Sequence, residues 1–308
     1  MNFQQLRIIR EAVQQNFNLT DVAAVLFTSQ SGVSKHIKDL EDELGVELFV
    51  RRGKRLLGLT EPGKELAVIV DRMLQDARNI KRLADQFSDA DTGQLTIATT
   101  HTQARYALPQ VVARFKAAFP KVHLVLHQGS PAEIVAMLDS GEADVGIATE
   151  ALDKNHAFVT FPFYDWHHAI VVPQGHALAQ QPEPMTIEQL AELPLITYHE
   201  GYTGRERIDA TFAAAGLTPD LVMSALDADV IKTYVQVGLG VGIIAAMAFE
   251  PQRDAGLQLI SAAHLFPQNT TRIALKRGHY LRGYAYRFLQ ECAADLDEDA
   301  VKAALSVD

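Results

Sequence analysis

Two groups of side chains in this 308-residue sequence have the types and spacing for chemistry. The first is Thr99-Thr100-His101-Thr102-Gln103, which follows the apolar run Leu95-Thr96-Ile97-Ala98 and opens a helical pattern from Tyr106 to Phe119. A strand that turns directly into a helix leaves the first N–H groups of the helix without intrahelical partners. Three hydroxyls and an amide beside those donors make a site for an anion that needs no formal positive charge. Ordinary capping by Thr100 or Thr102 is the simpler use of such residues, but one threonine suffices for a cap. Thr149 at a strand end, Thr203-Gly204 before a helix and the loop Gln128-Gly129-Ser130 repeat this chemistry.

The second group is polar and basic and lies near the N-terminus. Thr28, Ser29, Gln30, Ser31, Ser34, Lys35 and Lys38 fall along the start of one helix, with hydroxyls and a Gln able to bond phosphates or base edges. Arg51, Arg52, Lys54 and Arg55 follow within five positions around Gly53, suited to phosphate or minor-groove contact with double-stranded DNA. A solvated, capped helix and a charged surface turn are the plainer readings of the same residues. Their succession is what favours a DNA reader.

The elements that must hold these groups are legible from periodicity. Phe3, Leu6, Ile9 and Val13 mark a first helix, Asn18 to Leu26 a short Ala-containing second, and Val33, Ile37, Leu40 and Leu44 a third that stops at Gly45. Two short helices joined at Phe27-Thr28 make a helix-turn-helix, and the apolar runs flanking the basic turn make a β-hairpin wing. The first 60 residues are thus expected to form a winged helix-turn-helix, all-α with a small β wing. Leu66, Ile69, Val70, Met73, Leu74, Ala77, Ile80 and Leu83 then recur by three and four in one long helix. That seam suits pairing with a second copy of the chain, giving a linker and dimerisation segment over 61–92. From 93 to 308, short apolar strands alternate with helices, the pattern of an α/β effector domain with parallel strands and two lobes. His168-Ala169-Ile170-Val171-Val172 is expected to cross into the second lobe and Arg272 to Lys276 to return. Gly238, Gly240 and Gly242 precede a strand, not a helix, and so read as a turn rather than a dinucleotide site.

The formal net charge of −10 conceals an asymmetry. Residues 1–88 carry 13 basic and 12 acidic side chains, a balance of +1, whereas the remaining 220 carry 15 and 26, a balance of −11. DNA attraction is therefore expected to be local to the wing. With a single cysteine, Cys292, no disulfide can form within the chain, and a reducing cytoplasm is the expected location. Cys292 reads as a small apolar residue of a C-terminal helix. The N-terminus has no basic segment followed by an apolar core, so no secretory signal and no membrane association are expected.

The run Ala23-Ala24-Val25-Leu26-Phe27-Thr28-Ser29-Gln30-Ser31-Gly32-Val33-Ser34-Lys35, continuing to Phe49, resembles the LysR-family DNA-binding signature, as does Leu59-Thr60-Glu61-Pro62-Gly63 at the start of the linker helix. That resemblance implies a transcription regulator with a periplasmic-binding-protein-like effector domain, assembled as a homodimer or homotetramer, with RNA polymerase as a further partner. Ala98 to Pro109, His127 to Pro131, Ile147 to Leu152, Gly201 to Arg205 and Asp227 to Tyr234 resemble the CysB/Cbl subgroup of sulfur-assimilation regulators. This closer likeness implies an anionic effector such as acetylserine, sulfate or adenylyl sulfate, held by Thr100, Thr102, Gln103, Thr149 and Thr203, with Trp166 lining the cleft or sitting in the core. His199-Glu200 departs from the subgroup and brings two ionisable groups near the pocket. A regulator of another pathway sensing an unrelated anion is the alternative, and a solute-binding protein the more distant one. No metal, other cofactor or catalytic residue is expected: HExxH, Gly-x-Ser-x-Gly and Walker patterns do not occur.

Overall fold

The structure, a computed structural model, describes residues 1–53, 55–88, 90–181 and 184–306. Contacts divide the chain into two compact units, Met1–Ala84 and Asp85–Asp308. No helix among the described residues is long and apolar enough to cross a membrane.

The first unit holds α1 (Phe3–Gln14), α2 (Leu19–Val25), α3 (Gln30–Leu44), the antiparallel pair β1 (Phe49–Arg52) and β2 (Arg55–Leu59), and most of α4 (Glu61–Ser88). Each short helix carries its own start signal. Asn2 and Gln5 form a capping box on α1, Asn18 caps α2 and Ser29 caps α3, which ends at Gly45 in the left-handed conformation. The core gathers Leu6, Ile8, Ile9, Ala12, Val22, Val33, Ile37, Leu40, Leu48 and Phe49. Phe3 and Val13, expected on the buried face of α1, stand outside it at 52% and 37% exposure. The helix turns Ile8 and Ala12 inward instead. Where α4 leaves the wing, Thr60 Oγ1 donates to Glu47 O (2.6 Å) and accepts from Gly63 N (3.1 Å). A Cβ at Gly63 would lie 2.0 Å from Leu48 O, so only glycine lets the helix start against the wing backbone.

The second unit is built on two five-stranded sheets. Its elements are β3 (Gly93–Thr99), α5 (Leu108–Ala118), β4 (Val122–Gln128), α6 (Pro131–Ser140), β5 (Val145–Ala148), β6 (Phe158–Trp166), β7 (His168–Pro173), α7 (Ile187–Ala191), β8 (Pro194–Tyr198), α8 (Arg205–Ala214), β9 (Asp220–Ala225), α9 (Ala228–Gln236), β10 (Val241–Ala245), β11 (Leu257–Ser261), β12 (Asn269–Lys276), α10 (Gly283–Cys292) and α11 (Glu298–Leu305). Strand order is β4-β3-β5-β12-β6 in the first lobe and β11-β7-β10-β8-β9 in the second. The chain therefore crosses between lobes at β6–β7 and returns at β11–β12. The β3/β4, β3/β5, β8/β9 and β8/β10 pairs are parallel, as expected, but β7, β11 and β12 pair antiparallel with their neighbours. β7 and β12 enter from the opposite lobe and so run in the reverse sense to the strands on either side of them, β11 included. The helix expected from Tyr106 begins at Leu108, preceded by a π-helical turn over Gln103–Ala107. Such wide turns often mark functional sites.

Candidate functional site

On the N-terminal unit, α3 buries Val33, Ile37 and Leu40 and leaves Ser29, Gln30, Ser31, Lys35 and Lys38 exposed, with Thr28 and Ser34 half-buried. Ser29 Oγ accepts from Gly32 N (3.1 Å), so this hydroxyl serves the cap, while Ser31 leans on it at 3.1 Å. The helix-turn-helix bend places Phe27 at φ 50°, almost fully exposed. The four wing cations differ in their surroundings. Arg51 is tied back to Glu41 of α3 (2.6 Å), whose other oxygen accepts from Leu48 N (2.8 Å) and Phe49 N (3.2 Å). Arg51 is thus a strut between recognition helix and wing. Arg52 and Arg55 are exposed and sit opposite one another on the strand ladder. Like charges so placed repel, a cost that a polyanion would relieve. Arg55 and Gln30 line the same concave surface with Asn18. Lys54 lies outside the described residues.

In the second unit, the loop after β3 and the strand ends around it gather a buried polar cluster. Thr100, Thr102, Gln103 and Thr203 are at most 4% exposed. Gln103 opens the π-turn, and its Oε1 accepts from Tyr164 OH of β6. Thr149, just past β5, lies 3.3 Å from the Thr271 hydroxyl of β12, which also accepts from Trp166 Nε1 (3.1 Å). Trp166 is buried and packs edge-on against His168, so it supports the wall through Thr271. Thr99, one of the three hydroxyls expected to be available, instead donates from its Oγ1 to Ile147 O inside the sheet (2.9 Å). Thr102 Oγ1, Asn269 Oδ1 and Glu150 Oε2 are shut off from solvent and have no hydrogen-bond partner among the described residues. Buried polar atoms left in this state are costly and point to a ligand or ordered water beside them.

Gln128 and Ser130 fall elsewhere. Ser130 caps α6 in a box with Glu133, and Gln128 Oε1 meets His101 Nδ1 at 3.0 Å. Together with Gly129, Tyr202 and Asp227 they line a separate concavity. His199 and Glu200 are exposed. Beside the buried cluster a polar bridge joins the lobes: Tyr106 OH donates to Asp229 (2.5 Å), Lys232 reaches both Tyr106 OH (3.1 Å) and Asp254 (3.0 Å), and Arg105 pairs with Glu250 (2.9 Å). His101, Asp227 and Asp229 present ligand atoms within 4.8 Å of one another. Asp229 is already engaged by the Tyr106 hydroxyl and by Lys232 and Arg105, and the positive charges of the latter two oppose a cation there.

Burial sets the protonation of the groups around the cluster. Desolvation lifts Glu150 to about 7, only partly offset by the Gly204 N–H that its Oε1 accepts. Desolvation also lowers His168 to about 4, and this ring sits 3.2 Å from Thr203 O. The Tyr164 phenol is pushed up to about 12 by burial. Glu150, His168, Tyr164, Asn269 and Thr271 join the site although sequence position alone does not mark them for it. A carboxylate and an imidazole adjoining strand ends were the available signals.

A winged helix-turn-helix followed by a two-lobed α/β domain with a buried polar cluster between its lobes defines a ligand-responsive regulator of transcription. Residues 3–64 match the family model for the bacterial regulatory helix-turn-helix protein of the lysR family, and residues 88–297 match the LysR substrate binding domain. The chain belongs to the LysR family and is a DNA-binding regulator, not an enzyme. It is similar to the HTH-type transcriptional regulator SsuR of Burkholderia cenocepacia, 59% identical over 99% of each chain. It is 55% identical to the HTH-type transcriptional regulator Cbl of Escherichia coli K12, over 98% of this chain and 95% of that one. The crystal structure of the cofactor-binding domain of the Cbl transcriptional regulator superposes with a TM-score of 0.67 at 49% identity, covering 70% of this chain and 95% of that one.

Proposed function

We propose that the protein is a cytoplasmic regulator that reads promoter DNA with α3 and the wing and responds to a small anion of the sulfur pathway, controlling genes of cysteine biosynthesis or sulfur assimilation. Acetylserine, sulfate and adenylyl sulfate are the effectors that fit this reading. The observation that carries it is the cluster of buried Thr100, Thr102, Gln103 and Thr203 with half-buried Thr149, Thr102 Oγ1 being unpartnered among the described residues and two segments, the turn at Gln103 and α8, starting beside it. Neutral donors and helix N-termini bind an anion with little desolvation of fixed charge. The likeness to SsuR and Cbl supports the same assignment. Closure of the lobes on the anion would shift subunit packing and thereby the DNA contacts.

Titration calorimetry with sulfate and with acetylserine tests the site. Wild type should give saturable heats for at least one of them, and Thr100→Ala should bind it at least tenfold more weakly, the loss of a buried hydrogen bond to a charged group. Equal heats for the two proteins would remove Thr100 from the site. Silence from both ligands with a response to an unrelated anion would favour a regulator of another pathway.

A further inference from the structure

Glu150 stands at the end of β5 in the first lobe, yet its carboxylate is spent on the second. Its Oε1 accepts the backbone N–H of Gly204, the N-cap of α8, which makes no side-chain cap of its own. A carboxylate at a helix N-terminus takes the place that a bound anion would take. A Cβ at Gly204 would approach His168 Cε1 to 2.7 Å and Asn269 Oδ1 to 2.8 Å, so the contact is made on backbone packed against these two buried side chains. Glu150 Oε2 is buried and unpartnered, and so is Asn269 Oδ1 beside Gly204. The residues adjoining the contact, Thr149 on one side and Thr203 on the other, are two of the hydroxyls assigned to the anion.

We propose that the Glu150 carboxylate is a built-in competitor of the anionic effector, holding the α8 N-terminus until an anion binds and Glu150 takes up a proton from solvent in the same step. The inference rests on the anion-pocket reading above. Two negative charges within one buried site repel strongly because little water screens them. Protonation removes that repulsion and gives Oε2 or Oε1 a hydrogen to donate, which turns an anion's opponent into one of its donors. The charged or titratable groups facing Glu150 are Glu206 and Arg207 in the first turn of α8, whose charges oppose each other, and His168 beneath Gly204. Burial holds His168 neutral above about pH 4, so it does not titrate where Glu150 does, near 7. His167, whose charge acts on His168, and His101, in the segment after β3, are further imidazoles of this region.

Calorimetry of the full-length protein with sodium sulfate, which stays a dianion throughout, between pH 6 and 8.5 is the test. Wild-type affinity should fall with rising pH, approaching about tenfold per unit above pH 7, the limit for one proton taken up per anion. Heats in two buffers of different ionisation enthalpy should show that proton directly, without any variant. Glu150→Gln should bind sulfate with no pH dependence, and at pH 8 more tightly than wild type. A wild-type affinity that is flat with pH and takes up no proton would overturn the proposal while leaving the anion pocket standing. A slope that persists in Glu150→Gln would place the proton elsewhere, on His101 for instance, and overturn it too. No sulfate heat from either protein at any pH would remove the pocket and with it the competitor.

Discussion

At the scale of single residues, Glu150 and His168 set the pH response of the effector domain's stability in opposite senses. Glu150, raised from the usual 4.5 to about 7, binds its proton more tightly folded than unfolded, so folding is favoured below 4.5 and the advantage is lost as pH rises through 7. His168, lowered from 6.5 to about 4, binds its proton less tightly folded, so its contribution is present above 6.5 and lost as pH falls toward 4. Between about 4.5 and 6.5 the two slopes oppose each other. Removing one group should uncover the other. Calorimetric melts of Glu150→Gln should show a Tm that drops on acidification from pH 6.5 to 4.5 more steeply than wild type does. Superimposable profiles for the two proteins would mean that Glu150 is solvated and ionised in the native state.

At the scale of elements, the wing is joined to α3 by the Arg51–Glu41 pair and to α4 by Thr60 and Gly63. The basic residues should therefore separate by role. Arg52→Ala and Arg55→Ala should each weaken binding to any DNA sequence and reduce the salt slope by about 0.9, the value for one phosphate contact. Arg51→Ala should change the slope less and lower the melting temperature of the N-terminal unit, because it frees Glu41. Equal slope changes for all three would make Arg51 a phosphate contact like the others. Gly63→Ala should destabilise the same unit by about 1–3 kcal/mol, since a methyl group would have to displace the Leu48 carbonyl. The elements themselves were legible in the sequence because caps, periodicity and turn residues are local: Ser29 and Gly45 both lie where their neighbours predict. The pocket was legible only in its hydroxyls. Glu150 meets Gly204 across 54 positions and His168 meets Thr203 across 35, pairings that exist only once β5, β7 and α8 are assembled. The π-turn at Gln103 leaves no periodic trace, because one wide turn shifts the helical phase without changing residue types.

At the scale of the whole molecule, what matters is how copies of the chain meet, and α4 is where that is decided. The seam read from its sequence as one surface is two. Leu66, Val70, Met73 and Leu74 pack into the core of the N-terminal unit, whereas Ile69, Ile80, Leu83 and Phe87 are 43–85% exposed. At about 100° per residue the exposed four fall within about 60° of one another, a stripe beside the buried face. Periodicity cannot separate two adjacent apolar faces of one helix; burial does. An unpartnered stripe on a helix of 28 residues is the surface expected to pair with a second copy. Pairing there would set two recognition helices on one promoter and multiply the weak attraction of a wing carried on a chain of net charge −10. Ile80→Glu combined with Leu83→Glu should therefore lower the molar mass measured by light scattering at least by half relative to wild type. The fold of each unit should survive, since neither residue is in a core. DNA affinity should fall far more than for a charge-neutral change at the wing, because each released subunit keeps a single reader. An unchanged mass would move the principal subunit contact to the effector domain, where Val230, Tyr234 and Val237 of α9 and its C-terminus are also exposed. In that case two DNA readers would be held together through the very domain that receives the anion.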